Sequence, residues 1–237
     1  MKKILLGSAL FSLMLGSCDF NSKSSELEQS NFEKILNSFL IDDTEKENVE
    51  EEVIEIDYTR YDEKTNAYFK EITLQNEFND KEKETPDRWT EDMNIYVYGL
   101  KKEYMMDELQ KIVGELNDMI HSIRINIVTK KSDANFIIFL GSMDDFKEDF
   151  PDIKRKDLEK NWGLFSTHTN NGKMYVDMYR THDDIDAQKH LLREELTQSL
   201  GFYNDSWKYP NSIFYQGWTT TTEYAPIDLR LLDLLYN

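Results

Sequence analysis

The sequence predicts an α/β (α+β) domain in which helices back a mixed β-sheet. Apolar residues recur every second position in some segments and at spacings of three and four in others. The two kinds of segment follow one another in the order β-α-β-β-(α)-β-α-loop-α, so helices fall between strands and can cover a sheet. Turn and capping residues stand at the joints. Taken in order, NIYVYGL (94–100) is short and β-rich. The segment 102–120 sets Met105, Leu109, Ile112, Leu116 and Met119 along one face of an amphipathic helix. IRINIVT (123–129) alternates Ile123, Ile125 and Ile127, as a strand with one buried face does. ANFIIFLG (134–141) is continuously apolar and reads as a buried central strand. A charged stretch, 142–161, reads as helix and loop. After a turn signal at Asn171-Gly172, GKMYVDMY (172–179) alternates again. A helix over 184–200 stops at Gly201, and Pro226 opens the last helix in APIDLRLLDLLYN.

Ahead of this domain the chain begins with Lys2, Lys3 and an apolar run too short to span a bilayer. The run ends in Leu15-Gly16-Ser17-Cys18, which resembles the lipobox of bacterial lipoproteins. That resemblance implies a signal peptide over 1–17 and fatty acyl chains, palmitate among them, on Cys18. The expected partner is a membrane and the expected location the bacterial cell envelope, by a lipid anchor that does not cross the bilayer. Cys18 is the only cysteine, so no intramolecular disulfide forms. Residues 18–57 read as an acidic tether, with thirteen acidic residues against three lysines over 19–57. Ser30 and Glu33 resemble a capping box ahead of Ile35, Leu36, Phe39 and Leu40, a marginal helix. The folded domain is expected over 58–237. The net charge of −18 disfavours nucleic acid and anionic headgroups as partners.

The functional question centres on HLLREELTQSLGFYND (190–205). In the zinc-binding pattern HExxHxxGxxH, two histidines one helical turn apart share an ion and the glutamate activates water. Here the corresponding positions are Glu194, Glu195, Gln198, Gly201 and Asn204. The glutamate and the turning glycine remain, and none of the three histidines does. With Arg88-Trp89, SDANFIIFL, NGKMYVDMY and the closing helix to Leu235-Tyr236-Asn237, the order resembles the catalytic domain of metzincin peptidases. A closer resemblance is to the bacterial family built on domain of unknown function 2927, whose members are often lipoproteins. It rests on Glu194-Glu195-x-Thr197-Gln198-x-Leu200-Gly201, Asn204-Asp205-Ser206, Pro210-x-Ser212-Ile213-Phe214 and Asp228 to Tyr236. These resemblances imply a zincin-like sheet with strand 172–179 as its edge along a substrate cleft. They also imply a degenerate active-site helix over 184–200.

Glutamate, glutamine and asparagine are poor zinc donors, and no methionine follows Met178 to floor such a site, so no metal and no cofactor is expected. His190 and Glu194 read as a solvated i,i+4 pair, and His121, His168 and His182 as scattered surface or capping residues. Asp183, Asp184 and Asp186 suit the positive end of a helix. Glu194 and Glu195 are candidate catalytic carboxylates. Adjacent helical residues point about 100° apart, however, and so do not flank one bond. No Gly-x-Ser-x-Gly elbow is present. The reading favoured is a pseudo-metallopeptidase: a non-catalytic module that binds a peptide or envelope polymer. Glu194, Gln198, Asn204, Tyr175 and Trp207 are its candidate contacts, and Tyr209, Phe214, Tyr215 and Trp218 serve as wall or core. The alternative is a hydrolase, peptidase-like or glycan-cleaving, using Glu194 and Glu195.

Overall fold

The computed structural model describes residues 55–75, 83–147 and 159–237. Cys18, the signal segment expected over 1–17 and the helix expected after Ser30 lie outside the described residues. Described from Glu55, the chain is already packed. Ile56 lies against the core, and Asp57 caps a single 3-10 turn, so ordered packing begins slightly ahead of residue 58. Helix α1 (Glu63–Leu74) follows, with the Asp62 carboxylate accepting from the Thr65 N–H at its start. It buries Tyr68, Phe69 and Ile72.

Five strands form one sheet: β1 (Met93–Gly99), β2 (Ile125–Ile127), β3 (Phe136–Gly141), β4 (Gly163–His168) and β5 (Asn171–Asp177). Their order across the sheet is β2-β1-β3-β5-β4. All neighbours run parallel except β4, which is antiparallel to β5. The expected mixed sheet is present, with one difference at its edge. The strand read as the edge, 172–179, is second from the outside, and the outer position belongs to β4 in the segment before it. The hairpin turns through Thr169-Asn170 instead of Asn171-Gly172, which both pair within the ladder. Thr169 takes a positive φ of 49° there.

Helices cover one face. Met93, Ile95 and Val97 of β1, Phe136, Ile138 and Leu140 of β3, and Met174 and Val176 of β5 pack into a core shared with the helices. Those helices are α2 (Glu103–Met119), the long helix α4 (Ile185–Gln198) and α5 (Pro226–Tyr236). The other face carries a small second cluster, Phe139, Leu164 and Tyr175, covered by Phe146 from the short helix α3 (Met143–Phe146).

Two polar devices tie this core together. Arg193 of α4 is fully buried and pairs with Glu108 (2.8 Å) and Glu115 (2.5 Å) of α2, with the Tyr224 ring 4.6 Å from its guanidinium carbon. Asp228 at the start of α5, also fully buried, accepts from the Ser212 hydroxyl (2.5 Å), the Ile213 N–H (3.0 Å) and the Ala225 N–H (2.8 Å). Ser212 in turn meets the Tyr68 hydroxyl at 3.0 Å. Burial raises the Asp228 carboxyl above its usual range despite these donors. The Pro210-Asn211-Ser212-Ile213-Phe214 stretch is thus a loop clamped onto α5, with Ile213 and Phe214 in the core.

Candidate functional site: the cleft between β4 and α4

Helix α4 forms because Asp184 caps it, its carboxylate accepting from the N–H groups of Asp186 and Ala187 at 3.1 Å. It ends where Gly201 takes a φ of +123° and passes against the backbone of Asp87. Trp89 fixes this corner: its indole N–H donates to the Ser199 carbonyl at 2.9 Å. Tyr236, the other anchor, donates its hydroxyl to the Leu200 carbonyl at 2.7 Å.

Above α4 lies a cleft of about 720 Å³. Its floor carries His190, Glu194, Glu195 and Gln198 from α4, with Asp205 from the following loop. Residues 163–167 of β4 form one wall and Tyr215 to Thr219 another. Consecutive β4 residues line it although their side chains alternate between faces, so the cleft runs along the strand's backbone edge.

The expected site residues divide. Glu194 and Gln198 sit one turn apart and both line the cleft. Glu195 lines it from beneath β4, so close that a Cβ on Gly163 would stand 2.3 Å from its carboxylate oxygen. The two glutamates therefore do not flank one bond. Asn204 is not part of the site. Its side-chain amide donates to the Glu71 carbonyl (3.2 Å) and its backbone N–H to the Ile72 carbonyl (3.1 Å), which turns it onto α1. Asp205 is there instead, accepting from the Gln198 amide at 2.6 Å. Tyr175 is another correction. With β5 inside the sheet, its ring is fully buried on the opposite face among Phe139 and Phe146. There its hydroxyl bonds Asp177 at 2.5 Å. Trp207 is 66% exposed at the rim, edge-on to Tyr215, and does not line the cleft.

His190 also departs from expectation. Its ring is 3% exposed, not solvated. Nδ1 lies 2.8 Å from the Thr221 carbonyl oxygen and Nε2 lies 3.4 Å from the Glu194 carboxylate. Burial is the main cause holding its pKa below the ordinary histidine value, with Arg193 adding to it against the Thr221 bond. Trp162, Phe165 and Tyr203 are cleft residues that sequence reading did not single out. Trp162 and Trp218 meet edge to face at 5.0 Å, and Phe165 stacks on Tyr203 at 5.9 Å. Burial pushes the Tyr203 hydroxyl up to about 12. Periodicity gave no hint of these residues, because the strand that brings Phe165 in was itself unrecognised.

The zinc ion implied by the peptidase resemblance does not fit this donor set. Gln198 is engaged with Asp205, Asn204 faces α1, and both residues offer weak amide oxygens to an ion that favours imidazole and thiolate. Among the described residues, no three His, Cys, Asp or Glu side chains are placed to share an ion.

The fold and site define an α/β domain with helices on one face of a mixed sheet and a cleft under its antiparallel edge. Residues 62–237 match the family described as "Protein of unknown function (DUF2927)", and the chain belongs to that family. Among solved structures it is similar to "Crystal structure of myroilysin", at 9% identity and a TM-score of 0.40, over 65% of this chain and 86% of that one. It is also similar to "Structure of myroilysin", at 10% identity and a TM-score of 0.38, over 63% and 94%. No curated protein matches the sequence.

Proposed function

We propose that the protein is a bacterial lipoprotein, anchored through Cys18, whose cleft holds an extended peptide by strand addition and performs no zinc chemistry. One observation carries the cleft reading: the strand bordering it, β4, is the sheet's outer strand, and among the described residues nothing pairs with its far edge. His168 and Asn171 close a two-residue turn, so they exchange ladder bonds and alternate residues back from them do not. Consistent with that register, the Gly172 N–H donates to the Asn135 carbonyl beside β3. The N–H groups of Phe165 and Thr167 therefore face outward, toward the cleft. An extended segment adding there gains backbone bonds, with Trp218 and Tyr215 as side-chain surface. An extended stretch of peptide in an envelope polymer presents the same backbone.

An extended peptide is expected to bind with a change in tryptophan fluorescence, reporting Trp162 and Trp218. Thr167→Pro removes one outward N–H at a position where an edge tolerates proline. It should weaken binding roughly tenfold, the worth of one good hydrogen bond. Thr167→Val keeps the N–H and loses only the hydroxyl contact to Tyr203, and should bind nearly as wild type. Equal affinity for wild type and Thr167→Pro would rule out strand addition at β4.

Anchoring is tested separately. Cys18→Ala should abolish incorporation of a fatty-acid analogue and release the protein from membranes. Among the described residues no helix is long and apolar enough to cross a bilayer. Equal labelling of the variant would defeat the lipoprotein reading.

A further inference from the structure

Two of the chain's four tryptophans are well exposed, Trp218 at 61% and Trp207 at 66%. Both adjoin Gly217. A Cβ there would stand 2.5 Å from a Tyr215 ring carbon and 3.2 Å from Trp207 Cζ3, so the Trp207 ring rests over the glycine and Trp218 follows it in the chain. The two loops are fixed to each other. The Ser206 N–H donates to the Phe214 carbonyl at 2.9 Å and the Gln216 N–H to the Ser206 carbonyl at 3.1 Å, with Phe214 in the core beneath them. Each indole meets one ring edge to face, Trp207 with Tyr215 at 5.6 Å and 87°, Trp218 with Trp162 at 5.0 Å and 71°. Such a contact covers at most one face of one ring, so at these exposures each indole keeps a flat face toward solvent. The other exposed large apolar side chains among the described residues, Leu100, Ile127, Tyr179, Ile185 and Leu229, lie on other elements. Lys208, Gln216, Thr219 and Thr220 flank the indoles in the chain. The rim is therefore two rigid aromatic plates among amide and hydroxyl groups, unlike the continuous apolar patch that docks a protein or a bilayer. The net charge of −18 also opposes an anionic bilayer.

We propose that Trp207 and Trp218 form a stacking platform for a glycan chain, which crosses from the rim to the mouth of the cleft. A pyranose ring has an apolar face of slightly positive C–H bonds, and these lie against the negative face of an aromatic ring. Its edge carries hydroxyl groups, which both donate and accept hydrogen bonds. The rim supplies partners of both kinds. Gln216 offers an amide, and Thr219 Oγ1 accepts from the Thr221 N–H at 3.0 Å and keeps its own proton to donate. Plates already fixed by their loops lose little freedom on binding. Trp218 lines the cleft and Trp207 lies outside it, so successive sugars step from one to the other. The site is independent of strand addition at β4, and a ligand that uses both is a glycan carrying short peptides.

Calorimetric titration of the full chain with chitotetraose, and separately with cellotetraose, tests the platform. At least one should bind, and which one does tells whether the acetamido groups are read. Trp207→Ala and Trp218→Ala should each weaken that binding about tenfold, the order of one good aromatic contact. Trp207→Phe, which restores a smaller ring, should recover part of the loss. Unchanged melting curves establish that the variants are folded. Thr167→Pro should bind the oligosaccharide as wild type does, so failure of strand addition and failure of the platform are read apart. No binding of either oligosaccharide, or binding that survives both alanine substitutions, overturns the platform and leaves strand addition standing. A loss confined to Thr167→Pro would put the sugar in the cleft and overturn the platform as well. Brominated phospholipid in vesicles bearing the acylated protein gives the remaining outcome. Quenching of tryptophan fluorescence that is lost in Trp207→Ala, with no oligosaccharide bound, would assign the rim to the membrane instead.

Discussion

Arg193→Ala is expected to lower the free energy of unfolding by about 3–5 kcal/mol, the range for breaking a buried ion pair by removing one partner. The guanidinium has no exposed surface and holds Glu108, itself 5% exposed, and Glu115. Removing it leaves Glu108 buried, with Lys189 at 3.9 Å as a distant ion-pair partner. The loss is a large fraction of the roughly 5–15 kcal/mol that holds an ordinary domain together. Arg193→Lys should recover little, since an ammonium cannot present two planar forks to two carboxylates. Arg193→Met combined with Glu108→Leu should cost less than Arg193→Ala, because no buried charge is then stranded opposite it. Urea denaturation with the midpoint and slope both fitted measures this. A loss under about 1 kcal/mol for Arg193→Ala would mean the pair is solvated and of the weak surface kind.

Gly201→Ala should be nearly as damaging. A φ of +123° is a region that residues with a Cβ avoid, at about 1–3 kcal/mol for backbone conformation alone. A Cβ there would also stand 2.2 Å from the Asp87 carbonyl oxygen, a backbone atom that cannot swing aside. Taking about 3 kcal/mol for the conformation and the close contact together, the expected fall in Tm for a domain of this size is roughly 6–12 °C. The variant should also loosen the cleft, because the turn at Gly201 is what carries Asp205 back to Gln198. A melting curve within a degree or two of wild type would show that the corner relaxes freely.

Much of this architecture was legible before any coordinates. Strands β1 and β3 and helices α2, α4 and α5 lie within a residue or two of their sequence expectations, because α2 has one apolar face, β3 is a continuous apolar run, and Gly201 and Pro226 bound α4 and α5. Helix α1 carried the same signal, with Tyr68, Phe69 and Ile72 at helical spacing behind the Asp62 cap, but its polar remainder masked it. Strand β4 carries little apolar signal, because only Gly163 and Leu164 of its six residues are buried and Ser166-Thr167-His168 are polar. Its omission misplaced the sheet's edge, and with it Tyr175. Asn204 was misplaced by carrying an HExxHxxGxxH register across Gly201. Beyond the turn the chain is held by α1 at Asn204 and reaches the cleft only at Asp205. His190 could not have been read correctly from sequence, since its role depends on the Thr221 carbonyl, thirty-one residues away. The placement of Glu194 and Gln198 together was legible, because i,i+4 on a helix fixes it.

In the function proposed above, the cleft over α4 binds an extended peptide without a metal ion. The most direct test is one affinity, measured on protein as purified, after exhaustive chelation, and after zinc is added back. The donor set of Glu194, Gln198 and Asp205, with Asn204 turned onto α1, predicts the same dissociation constant in all three preparations. Binding that disappears on chelation and returns with one equivalent of zinc would contradict the account and make metal-dependent chemistry the function of this cleft.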